Sequence, residues 1–363
     1  MKLIFNLGHP AHVHLFKYTI WNLQSTGYEV KILTRDKRII KNLLETYGFR
    51  YEIISSKGKG LLGIGKELLI QDFELFKFAK KYRPDLMLGV LDPPITHVGR
   101  MLRIPSLNFT DTEHAKIANI ATLPGSSVIL TPTCYLNNLG SKQIRYNGYH
   151  ELAYLHPNYF TANPVVLSEL DLTEDEPFII VRFVSWEASH DIGQHGIRDK
   201  VLLVKELEKY GRVLITSEGE LPEELKSYKI RVSPEKLHDL LYYATLYVGE
   251  GATTASECAV LGTHAVYVNS LGLGYIGEED EKYHLVSDFS GRVCTDETVL
   301  AEAKMLLENK NLKQESITKR DLLLQGKCDV TAFMIWFIEN YPESIYQMKE
   351  NPEIQKQFGA RRN

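Results

Sequence analysis

Glu250-Gly251-Ala252-Thr253-Thr254-Ala255-Ser256-Glu257 follows a short apolar run, Leu246-Tyr247-Val248-Gly249, and precedes Cys258-Ala259-Val260-Leu261-Gly262. The run reads as a buried strand, and the segment after the turn as a helix stopped by Gly262. A strand that passes into a helix through small residues is the repeating unit of a parallel α/β sheet. Gly251 and Ala252 let a ligand approach the backbone closely. The first N–H groups of the new helix, at the positive end of its dipole, suit a phosphate. Thr253, Thr254 and Ser256 add hydroxyl donors. Glu257, one turn inside, could accept hydrogen bonds from a ribose diol. The same spacing also fits a plain helix start in which Thr254 and Glu257 form a capping box.

Outward from this turn, strand and helix patterns alternate on both sides. Ahead of it lie strands at Phe178-Ile179-Ile180-Val181-Arg182-Phe183, Arg212-Val213-Leu214-Ile215-Thr216 and Ile230-Arg231-Val232, with helices from Arg198 to Tyr210 and from Ser233 to Tyr243. After it come the strand His264 to Val268 and a glycine-rich loop from Ser270 to Gly277. The first half repeats the plan with strands at Lys2–Leu7, Tyr28–Thr34, Tyr51–Ile54, Leu86–Val90, Ser106–Phe109 and Ser127–Leu130. Helices are expected from Val13 to Thr26, from Lys37 to Tyr47, from the end of a Gly/Lys loop at Ser55–Gly65 to Lys81, and from Thr96 to Arg103. Such alternation means parallel strands joined by right-handed crossovers. The reading is an α/β chain of two Rossmann-like domains facing a cleft, 1–164 and 165–326, then a C-terminal helix in 327–345 and a polar tail, 346–363.

The totals bound the function. At 363 residues with 44% apolar and 24% charged content, the chain can build two ordinary globular cores. A net charge of −4 without a basic block argues against nucleic acid as the main partner. The four cysteines, Cys134, Cys258, Cys294 and Cys328, form no CxxC pair, so neither a zinc site nor a disulfide framework is expected. The N-terminus opens on a strand without a signal-peptide pattern, and no apolar run is long enough to span a bilayer, so a cytoplasmic protein is expected. Peripheral membrane contact stays compatible with this composition.

Polar residues gather after strand ends: His9, His12 and His14; Asp92; Asp111, Glu113 and His114. In an open parallel sheet, ligands sit beyond the carboxyl ends of the strands. Each cluster also has a structural explanation. His12 and His14 fit a helix surface, Asp92 a turn before two prolines, and Asp111 a helix cap. Three clusters on one edge favour a cleft. The loop from Val184 to Ile197 holds Ser185, Trp186, Glu187, His190, Asp191 and His195 without a scaffold that would fix metal ligands. It reads as a hydrogen-bonding loop over a ligand, and no metal is expected.

Gly8-His9-Pro10-Ala11-His12-Val13-His14, Asp111-Thr112-Glu113-His114, Glu151-Leu152-Ala153-Tyr154-Leu155-His156-Pro157 and the Glu250–Glu257 stretch together resemble the DUF354 family, over most of the chain to about Gly326. That family is similar to MurG-like transferases and to non-hydrolysing UDP-N-acetylglucosamine 2-epimerases. The resemblance implies a GT-B fold whose last helix, Cys328 to Asn340, crosses back to the first domain. It implies a diphosphate held at Gly251, Ala252, Thr253 and Thr254, a ribose at Glu257, and further donor contacts from Ser185, Thr216 and Ser217. The chain departs from the MurG pattern in its first loop, which has one glycine and a proline instead of a glycine run.

The leading expectation is therefore a metal-independent glycosyltransferase, without cofactor, whose substrate is a UDP-linked or similar nucleotide-diphosphate sugar. A saccharide or lipid-linked compound would be the acceptor. His14, Asp111, Glu113 and His9 are the candidate proton acceptors for an acceptor hydroxyl. A sugar-nucleotide 2-epimerase would use the same donor site with Asp92, Asp111, Glu113 and His190 as acid and base groups. A nucleotide-sugar-binding protein without turnover is the third reading. Oligomeric state is not encoded in these patterns.

Overall fold

The computed structural model of the 363-residue chain describes residues 1–56, 58, 60–184, 196–217, 219–291 and 295–359. Segments of four to eight residues, apolar runs or alternating patterns, make the strands: β1 (Lys2–Leu7), β2 (Glu29–Asp36), β3 (Tyr51–Ser56), β4 (Leu86–Val90), β5 (Ser106–Phe109), β6 (Val128–Pro132) and β7 (Gln143–Tyr146). They pair in parallel in the order β3-β2-β1-β4-β5-β6-β7. Strands such as β1 and β6 are buried along nearly their whole length, as expected when helices cover both faces of a sheet. The order reverses direction between β1 and β4, so the carboxyl ends of those two strands flank the switch point where doubly wound sheets bind ligands.

A second parallel sheet contains β8 (Phe178–Phe183), β9 (Arg212–Ser217), β10 (Leu246–Gly249), β11 (His264–Tyr267) and β12 (Val286–Asp288), in the order β12-β11-β10-β8-β9. Its switch point lies between β8 and β10. One compact unit comprises Met1–Tyr154 with Lys327–Asn363, and the other Leu155–Gly326. Ile4, Leu33, Met87, Ile95 and Val98 belong to one core of the first unit. Ile179, Val181, Phe183, Val248 and Val266 belong to the core of the second. The chain is thus an α/β protein with two Rossmann-like units, and its last helix belongs with the first of them.

Several local expectations are corrected. Helix Gly60–Tyr82 begins inside the stretch read as a loop to Gly65. The first sheet does not close at Leu130: β7 follows. Ile230–Val232 forms no strand, and only Lys229 makes an isolated bridge to Ile215. A helix, Gly274–Glu281, begins inside the Ser270–Gly277 stretch read as a loop. The polar C-terminus also folds, as helix Glu343–Glu350 and a 3-10 turn Pro352–Phe358. Gln355 Oε1 accepts a 2.6 Å hydrogen bond from the Asn147 N–H, which explains how so polar a segment is held.

Candidate functional site

In the second unit, helix Ala252–Leu261 starts at the carboxyl end of β10, beside the switch point. Gly251 is its N-cap, in an extended conformation, and no side chain caps it. The capping box of Thr254 and Glu257 is therefore not formed. The N–H groups of the first turn have no intrahelical acceptor. Ala252 is half-buried, Thr253 exposed and Thr254 buried. Ser256, expected to add a hydroxyl donor at the turn, instead donates to Glu279 Oε1 at 2.6 Å and is fully buried.

Arg182 lies across this turn. A Cβ placed on Gly251 would sit 3.2 Å from Arg182 Nε, and one on Gly249 2.8 Å from the Arg182 carbonyl oxygen. Arg182 is level with Gly249 on one side and with Thr216 on the other. Ser217, one residue on from Thr216, donates to the Gly219 carbonyl at 3.0 Å. The sequence reading missed Arg182; the signal was a lone cation in an otherwise apolar strand. Glu257 is buried, and its Oε1 lies 2.9 Å from His238 Nε2. A carboxylate can only accept, so His238 carries the proton on Nε2. Glu250, buried to 1% exposure, accepts from the N–H groups of Val184 and Ile197, both at 2.9 Å. Ser185, His190, Asp191 and His195 lie outside the described residues.

In the first unit, β5 delivers Asp111 and the segment after β7 delivers His150. Asp111 Oδ2 sits 2.8 Å from His150 Nδ1, both side chains being largely buried. Burial alone would push the Asp111 carboxyl up, but the charge of His150 and hydrogen bonds from His150 and Thr112 hold it below the usual range. In the neutral form of the ring, the ionised carboxylate fixes the proton on Nδ1 and places the lone pair on Nε2. His150 Nε2 is buried without a protein partner. The ring lies parallel to that of Tyr146, with centroids 6.5 Å apart. His150 was missed because it precedes the Glu151–Pro157 stretch and belongs to no periodic element.

The predicted candidates separate around this pair. His9 caps helix Pro10–Ser25, its Nδ1 accepting from the Ala11 N–H at 3.3 Å. His12 shares the neighbourhood of Asp111 and His150. Burial, then the charges of His9, His150 and Arg35, holds it well below its usual range. His14 does not join them. It is buried, with Nδ1 3.3 Å from Tyr47 Oη and its ring 5.4 Å from that of Tyr154. Two residues span about 200° of an α-helix, so His12 and His14 cannot share a face. Glu113 accepts from the Leu136 N–H at 3.1 Å. Asp92 caps helix Pro93–Leu102 through the Ile95 N–H and accepts from Asn6 Nδ2 at 2.7 Å. Burial pushes its carboxyl up to about 6. Leu91, just before it, has a left-handed φ of 43° at the switch point, a costly backbone state for a γ-branched side chain.

Among the described residues, no group of three or more His, Cys, Asp or Glu side chains could hold a metal ion, and no helix is long and apolar enough to cross a membrane. Residues 1–328 match the family model described as "Protein of unknown function (DUF354)". The chain belongs to the DUF354 family. No curated protein matches this DUF354 chain. Among solved structures, the UDP-GlcNAc 2-epimerase from Neisseria meningitidis, bound to UDP-GlcNAc, is similar to it at TM-score 0.66 and 14% identity, covering 87% of this chain and 94% of the other. The glycosyltransferase SsfS6 of Streptomyces sp. SF2575 is similar at TM-score 0.60 and 14% identity, covering 94% and 100%. S. aureus MnaA, in a co-structure with UDP, is similar at TM-score 0.61 and 8% identity, covering 87% and 90%. These likenesses establish the GT-B class of fold for the DUF354 chain.

Proposed function

We propose that this chain is a glycosyltransferase that binds a UDP-linked or similar nucleotide-diphosphate sugar at the Gly251–Thr254 turn. The observation that carries the reading is an uncapped helix start at the switch point of the second sheet, with Arg182 lying across it. A leaving diphosphate gains negative charge as its bond to the sugar breaks. Backbone N–H groups, the Thr253 hydroxyl and the Arg182 guanidinium are fixed positive ends that stabilise such charge without reorganising. Glu257, oriented by His238, is the acceptor for the ribose hydroxyls, and Thr216 and Ser217 reach the base or the diphosphate.

The candidate proton acceptor is His150, paired with Asp111. His150, held as the Nδ1–H tautomer by Asp111, takes the proton of the acceptor hydroxyl on Nε2, and Asp111 stabilises the imidazolium that results. His9, Glu113 and His14 carry other hydrogen bonds or packing and are weaker choices for this role. A saccharide or a lipid-linked compound is the acceptor class.

A 2-epimerase reading is favoured by one observation, the fold similarity to UDP-GlcNAc 2-epimerases. It needs the same donor site, with acid and base groups at C2 of the sugar.

Proton NMR of UDP-GlcNAc incubated with the protein separates the readings. Transfer predicts UDP release only when an acceptor is added, and epimerisation predicts a new sugar isomer without one. His150→Gln should lower turnover by roughly 10²- to 10⁴-fold while UDP still raises the melting temperature. Unchanged turnover in that variant would remove His150 from the chemistry. No response of the melting temperature to millimolar UDP or related nucleotides would remove both readings.

A further inference from the structure

We propose that the first unit carries a second, independent binding site: an anion pocket for a phosphate-bearing small molecule, at the amino ends of β5, β6 and β7. The cavity measures about 530 Å³, and its lining includes Arg100, Arg103, Lys142 and the Pro124–Ser127 segment. Pro105 and Ser127 immediately precede β5 and β6, and Lys142 precedes β7. The pocket therefore opens at the sheet edge opposite to the one that delivers Asp111. Its volume is that of a small-molecule site, which typically holds roughly 300–1,000 Å³.

Charge decides the ligand class. Three cations from two separate segments line one concavity, and among the described residues lining it there is no acid. The side chains of Arg100 and Arg103 make no hydrogen bond or ion pair with any described residue. Lys142 reaches only the Pro124 carbonyl, at 2.8 Å. The end of helix Pro93–Leu102 does favour positive charge nearby, but a helix terminus carries only about half a charge, and Lys142 lies on a different segment. In a chain of net charge −4, this is a local excess that recruits an anion. Two guanidinium forks suit phosphate oxygens, which they grip in pairs.

The walls are built rather than incidental. A Cβ on Gly99 would meet the Ile104 carbonyl oxygen at 2.7 Å, and one on Gly125 would meet Thr96 Cγ2 at 2.5 Å. Both backbones are packed so closely that only glycine fits. Beneath them, Ser126 Oγ accepts from Asn108 Nδ2 at 2.9 Å and donates to the Thr122 carbonyl at 2.9 Å. A pocket whose floor is fixed in advance loses little entropy when it binds.

The test is a titration of the full-length, ¹⁵N-labelled protein with inorganic pyrophosphate at constant ionic strength, reading the amide signals of Gly125, Ser126 and Ser127. These signals separate the pocket from any binding at the Gly251 turn. Saturating shifts are expected, with the dissociation constant weakened at least tenfold in R100Q/K142Q. Both substituted side chains are exposed, so the variant should keep the wild-type melting temperature, and R103Q alone provides a second, milder reading. Absent shifts at these amides, or equal affinity in R100Q/K142Q, overturn the proposal. Flotation with phosphatidic acid vesicles, lost in R100Q/K142Q, would identify a lipid headgroup as the source of the phosphate. Pyrophosphate binding without flotation would assign the pocket to a soluble ligand.

Discussion

Asp92 is a helix cap whose carboxyl group is shut away from water at the end of β4. Burial raises it to about 6, and the hydrogen bonds from Ile95 and Asn6 only partly offset this. The sign follows from linkage. The folded chain holds this proton more tightly than the unfolded one, so the stability that Asp92 contributes is complete below about pH 4 and is lost as pH rises through 6. A shift from 3.8 to about 6 corresponds to a difference on the order of 2–3 kcal/mol. Urea unfolding at a series of pH values should therefore show wild type losing about that much relative to Asp92→Asn between pH 4 and 7. A pH-independent difference would show that the carboxylate is better solvated by its partners than its burial implies. Residues of this kind were legible as types and places, but not as roles. Asp92, Asp111 and the histidine loop could be put on one sheet edge from the strand pattern alone. Whether His12 or His14 faces Asp111 depends on where the helix begins, and Pro10 starts it earlier than the apolar period suggested. His150 could not be found because its partnership with Asp111 spans two strands distant in sequence.

At the scale of elements, the β10 turn serves two tasks at once. It starts the helix of the proposed diphosphate site, and through Glu250 it also fastens the segment that leaves β8. The N–H groups of Val184 and Ile197 both point at one buried carboxylate, so a single side chain ties these two backbone positions together. A Cβ on Gly196 would fall 2.2 Å from Glu250 Oε1, which shows how tightly the backbone closes there. Removing the carboxylate leaves one buried and one part-buried donor unpaired, and hydrogen bonds to charged groups are worth roughly 1.5–3 kcal/mol each. Glu250→Ala should then cost roughly 3–5 kcal/mol in urea unfolding and speed hydrogen exchange at the Val184 and Ile197 amides. A loss below 1 kcal/mol with unchanged exchange would mean that Val184 and Ile197 are held by other groups. Most strands were legible because both faces of a parallel sheet are buried and their sequences are continuous apolar runs. Those that were missed are the ones that break this rule. In β7, Gln143 and Arg145 alternate with buried Ile144 and Tyr146, as at the edge of a sheet. In β12, only Val286 of three residues is buried. Ile230–Val232 shows the converse: it runs beside β9, where the Ile230 N–H donates to the Ile215 carbonyl at 3.0 Å, but the contact stops at the isolated Lys229–Ile215 bridge and no ladder forms.

At the scale of the whole molecule, the chain leaves the first unit at Tyr154 and returns to it at Lys327. The return was implied by the family resemblance; Phe333, Trp336 and Phe337 by themselves fit any packed terminal helix. Helix Val330–Glu339 packs against helix Pro10–Ser25, and its Phe333 ring stacks on Tyr146 with centroids 5.6 Å apart. Thr331 Oγ1 donates to the Ala153 carbonyl at 2.7 Å, and the Cys328 N–H to the Asn147 carbonyl at 2.8 Å. Tyr146 thus has a second role: its ring stacks both with His150 and with Phe333 of the returning helix. Phe333, Met334, Phe337 and Ile338 are fully buried. At about 1.5–3 kcal/mol for each such side chain, their burial contributes on the order of 6–12 kcal/mol as an upper bound. That is comparable to the whole stability of a typical domain, about 5–15 kcal/mol. A chain ending at Gly326 should therefore lose the folded state of its first unit, whereas Leu155–Gly326 keeps its own core and its own transition. Calorimetry of the truncated chain should show one surviving transition, and limited proteolysis should cut within residues 1–154 while sparing 155–326. If the truncated chain instead kept the wild-type transitions, the 327–363 segment would be an appendage, and the setting of His150 would not depend on it.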